Sequence, residues 1–139
     1  MNDAKPLWNP AELLVAALTR NELESRVAEG LPWLAYALSN MDWDWVLREA
    51  KTHDVTNRLG FVVTLARMLA ERRGDSSAAE SLETVETCLQ RSTLVREDTF
   101  CHDNMTQTER RWLRENRPAE ARRWRMLSDL DAEHLVHVV

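Results

Sequence analysis

Glycine and proline are scarce in this chain, with three and four residues respectively out of 139. So few chain breakers argue against both a turn-rich β fold and a disordered polymer. Cysteine is scarcer still. Cys88 and Cys101 are too few for a disulfide framework, and they read as reduced thiols of a cytoplasmic protein. No apolar run approaches the ~18 residues of a membrane span; the longest is Leu13 to Leu18. Met1 to Trp8 lacks the basic start and apolar stretch of a secretory signal. Tyrosine and phenylalanine together number three, against six tryptophans. A buried tryptophan needs a partner for its indole N–H, so this bias suits cores and interfaces alike.

What remains is a pattern of helices. Asn9-Pro10-Ala11-Glu12 combines an N-cap, a first-turn proline and a capping-box glutamate, with Trp8 and Leu13 placed as a hydrophobic staple. Asn21 is expected to cap a second short helix ended by Gly30, and Leu31-Pro32 to open a third around Trp33 to Leu38. Asp42 caps a helix through Trp43, Val46, Leu47 and Ala50. Asp54 is expected to cap the longest helix, residues 55–73, closed by Gly74. Its wide apolar stripe (Val55, Leu59, Val62, Ala66, Leu69, with Phe61, Leu65 and Met68) marks it as the buried centre of a bundle. Gly60 inside it predicts a closely packed neighbour.

Ser77-Ala78-Ala79-Glu80 reads as a capping box, ahead of a helix burying Leu82, Val85, Cys88 and Leu89. Residues 92–105 have no helical period and form an irregular connector, pinned by Leu94, Val95 and Phe100. Thr106 to Glu109 is another capping box. Pro118 starts a helix with Ala121, Trp124 and Leu127 on one face, and Asp131 caps a last one through Leu135 and Val138. The expected fold is all-α: a compact multi-helix bundle of about seven to nine helices around the central helix, forming one domain over residues 1–139.

Charge divides the chain. Residues 106–139 form a basic C-terminal helical segment, most strongly so over 106–125. There, Arg110, Arg111, Arg114, Arg117, Arg122, Arg123 and Arg125 face Glu109, Glu115 and Glu120, a net charge of +4. The whole chain carries −5, so everything else carries −9. Such a segment offers phosphate a surface, or an acidic protein a patch; the plain alternative is a solvated helix pair. Trp112 and Trp124 interleave with the arginines and could stack bases, but they also fall where a core needs large side chains, and core is the reading adopted.

Trp43 and Trp45 sit two apart, so both cannot face one core, and one is expected at an edge or interface. Cys101-His102-Asp103 is the nearest approach to a reactive cluster, but adjacency in sequence does not make a nucleophile–base pair. His134 and His137 lie one helical turn apart, without the further ligands a zinc site uses. Scattered acids such as Glu97, Asp98 and Asp103 are common on surfaces. No P-loop, GxGxxG, GxSxG or HExxH motif occurs. These observations assign no catalytic residue, no metal and no cofactor.

Two stretches carry a family likeness. One is Leu31-Pro32-Trp33 followed by Asp42-Trp43-Asp44-Trp45, Arg48-Glu49-Ala50-Lys51 and Asn57-Arg58-Leu59-Gly60-Phe61. The other runs from Ser92 through Arg96-Glu97-Asp98-Thr99-Phe100 to Arg111-Trp112-Leu113-Arg114-Glu115-Asn116-Arg117-Pro118. From Leu31 on, the chain resembles the helical, non-DNA-binding half of bacterial helix-turn-helix regulators found in two-gene cassettes such as toxin–antitoxin pairs. The first hundred residues hold no tight tri-helix with a glycine turn and a basic recognition helix. The resemblance therefore implies the companion role: a cytoplasmic, antitoxin-like interaction module that neutralises or regulates a protein partner encoded by the adjacent gene, by covering its surface. A homodimer is compatible with it, and no membrane is involved. Trp43, Trp45, Arg48, Asn57 and Arg58 are the expected partner-binding residues. The alternative is nucleic-acid binding through the basic patch Arg110, Arg111, Arg114, Arg117, Arg122 and Arg123.

Overall fold

The computed structural model describes residues 9–100 and 105–138, the last two as helix backbone only. Among the described residues the chain forms eight helices and no strand: α1 (Pro10–Leu18), α2 (Ser25–Ala37), α3 (Trp43–Thr52), α4 (Thr56–Arg72), α5 (Ser76–Gln90), α6 (Gln107–Asn116), α7 (Ala119–Arg123) and α8 (Ala132–Val138). The expected all-α bundle is what is found. Trp8 lies outside the described residues.

α4 is its axis. Thirteen of its seventeen residues are buried, polar Thr56, Asn57, Arg58 and Thr64 among them. α5 and α2 pack along it most extensively, α3, α7 and α8 touch it more briefly, and α1 rests on α3 and α2. The packed neighbour predicted at Gly60 is Trp124, whose six-membered ring lies where a Cβ would stand. Only glycine admits that approach, which offsets its poor helix propensity.

Local signals explain most helix ends. Asn9 Oδ1 accepts from Glu12 N at 2.9 Å, Asp42 Oδ1 from Trp45 N at 3.2 Å, Thr106 Oγ1 from Glu109 N at 3.1 Å and Asp131 Oδ1 from His134 N at 2.6 Å. Gly74, at φ +71°, closes α4: Asp75 N reaches back to Ala70 O at 2.9 Å and Gly74 N to Glu71 O at 3.1 Å, the paired bonds of a left-handed C-terminal turn.

Several expectations are corrected. Residues 25–37 form one helix rather than two, with Gly30 and Pro32 inside α2 and Glu24, not Asn21, at its cap position without a side-chain bond. Proline inside a helix forfeits a hydrogen bond, at ~3 kcal/mol, but Pro32 is itself buried and α2 packs broadly on α4; tertiary packing overrides local propensity. Asp54 does not cap α4. It adopts φ +56° and closes α3, with Val55 N bonded to Ala50 O at 2.9 Å; Val55 occupies the cap position of α4 without a side-chain bond. The cap of α5 is Asp75, whose Oδ1 accepts from Ala78 N at 3.1 Å, so the Ser77 box is not used. Within α5, Leu82, Val85 and Leu89 are buried as expected, but Cys88 is exposed and Glu86 is buried.

The connector is tied down by three successive residues of α4. Thr56 Oγ1 donates to Ser92 O at 3.1 Å. Asn57 pairs with the Leu94 backbone as a second backbone would, donating to its O at 3.0 Å and accepting from its N at 2.7 Å. Arg58 binds Asp98 through both arms of its fork, at 2.8 and 2.9 Å. Val95 pins nothing and is 84% exposed; Phe100 is buried and stacks on Phe61 at 6.1 Å between centroids. At Asp98 the connector makes a single parallel bridge to Met126, with Asp98 N bonded to Arg125 O at 3.0 Å and Leu127 N to Asp98 O at 2.8 Å.

Candidate functional site

α6 differs from every other helix of its length. It buries no residue and makes no broad contact with any other helix. It is held at its far end by Glu97 of the connector, which accepts from Arg114 Nε at 3.0 Å and Arg114 Nη2 at 2.9 Å. These hydrogen bonds from Arg114 hold the Glu97 carboxyl below its ordinary range, outweighing partial burial, with the charges of Arg117 and Arg110 adding to the effect. Trp112 lies on the other side of α6 and is 55% exposed. The core role adopted for it from sequence is therefore corrected: its helix stands off the bundle. Trp124, by contrast, is core at 1% exposure.

Between α6 and the bundle runs an open groove of about 880 Å³. Trp112, Leu113 and Met105 line the α6 side; Leu23, Ala28, Phe100, Leu127 and Leu130 line the bundle side. Its size falls in the range of ligand sites. Its polar lining is acidic: Glu29, Glu109, Asp129 and Asp131 contribute carboxylates, and no arginine or lysine is among the described residues that line it. His134 Nε2 lies 3.0 Å from Glu29 Oε2, and both residues line the groove.

A second, polar cleft of about 300 Å³ lies behind the connector, between His53, Asp54, Arg96, Glu97 and the Arg58–Asp98 pair. Here Arg58 Nη1 also donates to Leu18 O at 2.7 Å and Arg20 O at 2.9 Å. A third polar feature is internal. Trp124 Nε1 donates to Thr64 Oγ1 at 2.8 Å, Thr64 Oγ1 to Glu86 Oε2 at 2.6 Å, and Arg67 Nε to Glu86 Oε1 at 2.7 Å. This network satisfies a buried carboxylate and a buried indole together, which is what their burial demands.

The residues expected to bind a partner do not form one surface. Trp43 and Trp45 are both half-buried against the core, Trp43 donating to Ser39 O at 2.8 Å, and Arg48 on the same helix is exposed. Asn57 and Arg58 are buried, at 0% and 6% exposure, and bind the chain's own connector, which removes them from a partner surface. The basic patch divides too. Arg114 and Arg117 turn toward Glu97, while Arg111, Arg122 and Arg123 are exposed and Arg110 is half-exposed. Cys101-His102-Asp103 lies outside the described residues, as does the His137 side chain. Among the described residues no group of three His, Cys, Asp or Glu side chains could hold a metal ion, and no helix is long and apolar enough to cross a membrane.

The groove was not anticipated from sequence. Its lining comes from residues within 23–29, 99–100, 105–113 and 127–134, and only Trp112 carried a signal: a tryptophan in a helix otherwise crowded with charge. Comparison with known proteins finds no matching family model, no similar curated protein and no similar solved structure.

Proposed function

We propose that the chain is a binding protein rather than an enzyme, an interaction module whose groove beside α6 receives a segment of a protein partner. The observation that carries this reading is the half-exposed Trp112 on an apolar groove whose lining also includes four acidic residues. Large aromatic side chains anchor protein contacts, and an acidic lining selects for the opposite charge. The segment that fits presents bulky apolar side chains flanked by lysine or arginine. The role implied by the family resemblance, the neutralising or regulatory member of a bacterial two-gene pair acting by surface occlusion, accords with such a module. The exposed, unpaired Cys88 suits a reducing cytoplasm.

Peptide display on the immobilised protein tests the reading, with Trp112→Asp as the counter-target. Enriched peptides should combine apolar anchors with basic residues and should lose binding to the variant. Enrichment of acidic peptides, or equal binding to both proteins, would refute it.

A further inference from the structure

The other side of α6 carries the opposite charge. Arg114 is forked onto Glu97, and Arg117 Nη1 stands 3.6 Å from the same carboxylate while donating to Met126 O at 3.2 Å. The Arg117 side chain is only 11% exposed, yet its Nε–H is buried without an acceptor. Burial disfavours the charge on Arg117 most, and the nearby charges of Arg122, Arg114 and Arg125 add to that against the favourable pull of Glu97. One carboxylate thus holds Arg114 and Arg117, with the charge of Arg110 also acting on it, while Arg122 and Arg125 lie near Arg117; Glu115, the other acid acting on Arg114, contributes least there. In an ordinary solvated helix pair, opposite charges would alternate.

We propose that Arg114, Arg117, Arg122 and Arg125 form a site for a phosphate-type oxyanion, with Glu97 holding the position that a ligand phosphate would take. A guanidinium fork grips two oxygens of a carboxylate or of a phosphate with the same geometry. A phosphate brings more charge and a third oxygen to arginines that a single carboxylate leaves under-neutralised. The site suits a compact ligand bearing two or more phosphates better than a nucleic-acid strand. Stacking platforms accompany strand recognition, whereas Trp112 lines the acidic groove and Trp124 is sealed in the core. This site is independent of the groove: it lies on the opposite side of α6 and recognises the opposite charge.

Calorimetric titration with pyrophosphate near physiological salt tests the proposal, on wild type, Glu97→Gln, Arg122→Ala and Arg117→Lys, with folding of each checked by circular dichroism. Saturable binding is expected, tightened about tenfold in Glu97→Gln by loss of the competing carboxylate and weakened about tenfold or more in the two arginine variants. Arg122 is exposed, so its variant tests the site even if Arg117→Lys fails to fold. A nucleoside diphosphate run in parallel separates a nucleotide from free pyrophosphate as the source of the phosphates. The proposal is overturned if neither wild type nor Glu97→Gln binds pyrophosphate below about 10 mM. It is also overturned if Arg122→Ala binds as wild type does, or if an oligonucleotide binds where pyrophosphate does not.

Discussion

α4 and α6 lie in one small protein and show opposite uses of a helix. α4 buries thirteen of its seventeen residues, including an arginine, an asparagine and two threonines. α6 buries none of its ten, and holds its tryptophan half in water. The first concentrates the free energy of folding, because apolar burial and satisfied polar groups both accumulate along it. The second contributes little to that total and keeps its side chains available. Charge follows the same division, since Arg58 and Arg67 of α4 are committed to the buried carboxylates of Asp98 and Glu86, while Arg114 of α6 and Arg117 just beyond it share the single carboxylate of Glu97.

Substitutions in the two regions should therefore separate stability from binding. The largest effect is expected at the centre. Removing Arg58 leaves Asp98 charged and buried without its partner, so Arg58→Met should lower unfolding free energy by about 3–5 kcal/mol, and the Arg58→Met/Asp98→Leu double variant should recover part of that loss. Denaturant titration checks both; a loss under about 1 kcal/mol would mean the pair is dispensable. Trp124→Ala should cost about 3–5 kcal/mol for a different reason, since it empties the space above Gly60 and removes the indole hydrogen bond to Thr64 Oγ1. Because the cavity lies over Gly60, adding Gly60→Ala to Trp124→Ala should cost less than Gly60→Ala alone.

On α6 the balance reverses. Trp112→Asp should leave stability within about 0.5 kcal/mol, yet weaken a selected groove peptide by about 2 kcal/mol or more, as loss of a hot spot does. Paired unfolding and affinity measurements decide this, and a variant that unfolds instead would place Trp112 in the core after all. The smallest effect is acid-dependent. Glu97 is held below its usual range, so its grip on α6 is complete above the ordinary carboxylate value of about 4.3 and fades as pH falls through its lower folded value. Amide exchange in α6 should accelerate over that acidic interval relative to α4, and Glu97→Gln should remove that pH-dependent change. Persistence of the acceleration in the variant would assign it to other carboxylates.

Much of the fold was legible because it is written in adjacent residues. Asn9, Asp42, Thr106, Asp131 and Gly74 act through bonds spanning three to five positions, and the stripe of α4 is a property of one helix. The misread ends arose where one residue had two plausible jobs. Asp54 resembles an N-cap but is consumed closing α3, and Asp75 follows Gly74 so closely that α5 starts before Ser77 can cap it. Gly30-Leu31-Pro32 looks like a boundary until burial against α4 is known. The groove was illegible because it assembles segments far apart in the chain. Asn57 and Arg58 were misassigned for a related reason: polar residues on an apolar helix look like contacts for a partner, and here that partner is the connector.

That fastening has a mechanical consequence. Residues 92, 94 and 98 are each clamped to a successive residue of α4, and the last clamp also grips the end of α1 through Leu18 and Arg20. The groove wall at Phe100 begins two residues beyond that triple rivet and cannot slide without breaking a buried ion pair. One jaw of the groove is thus fixed in advance, and α6 is the jaw free to adjust. The ordering cost of taking up an occupant then falls on α6 alone, so changes in its helix propensity should tune affinity without reshaping the seat.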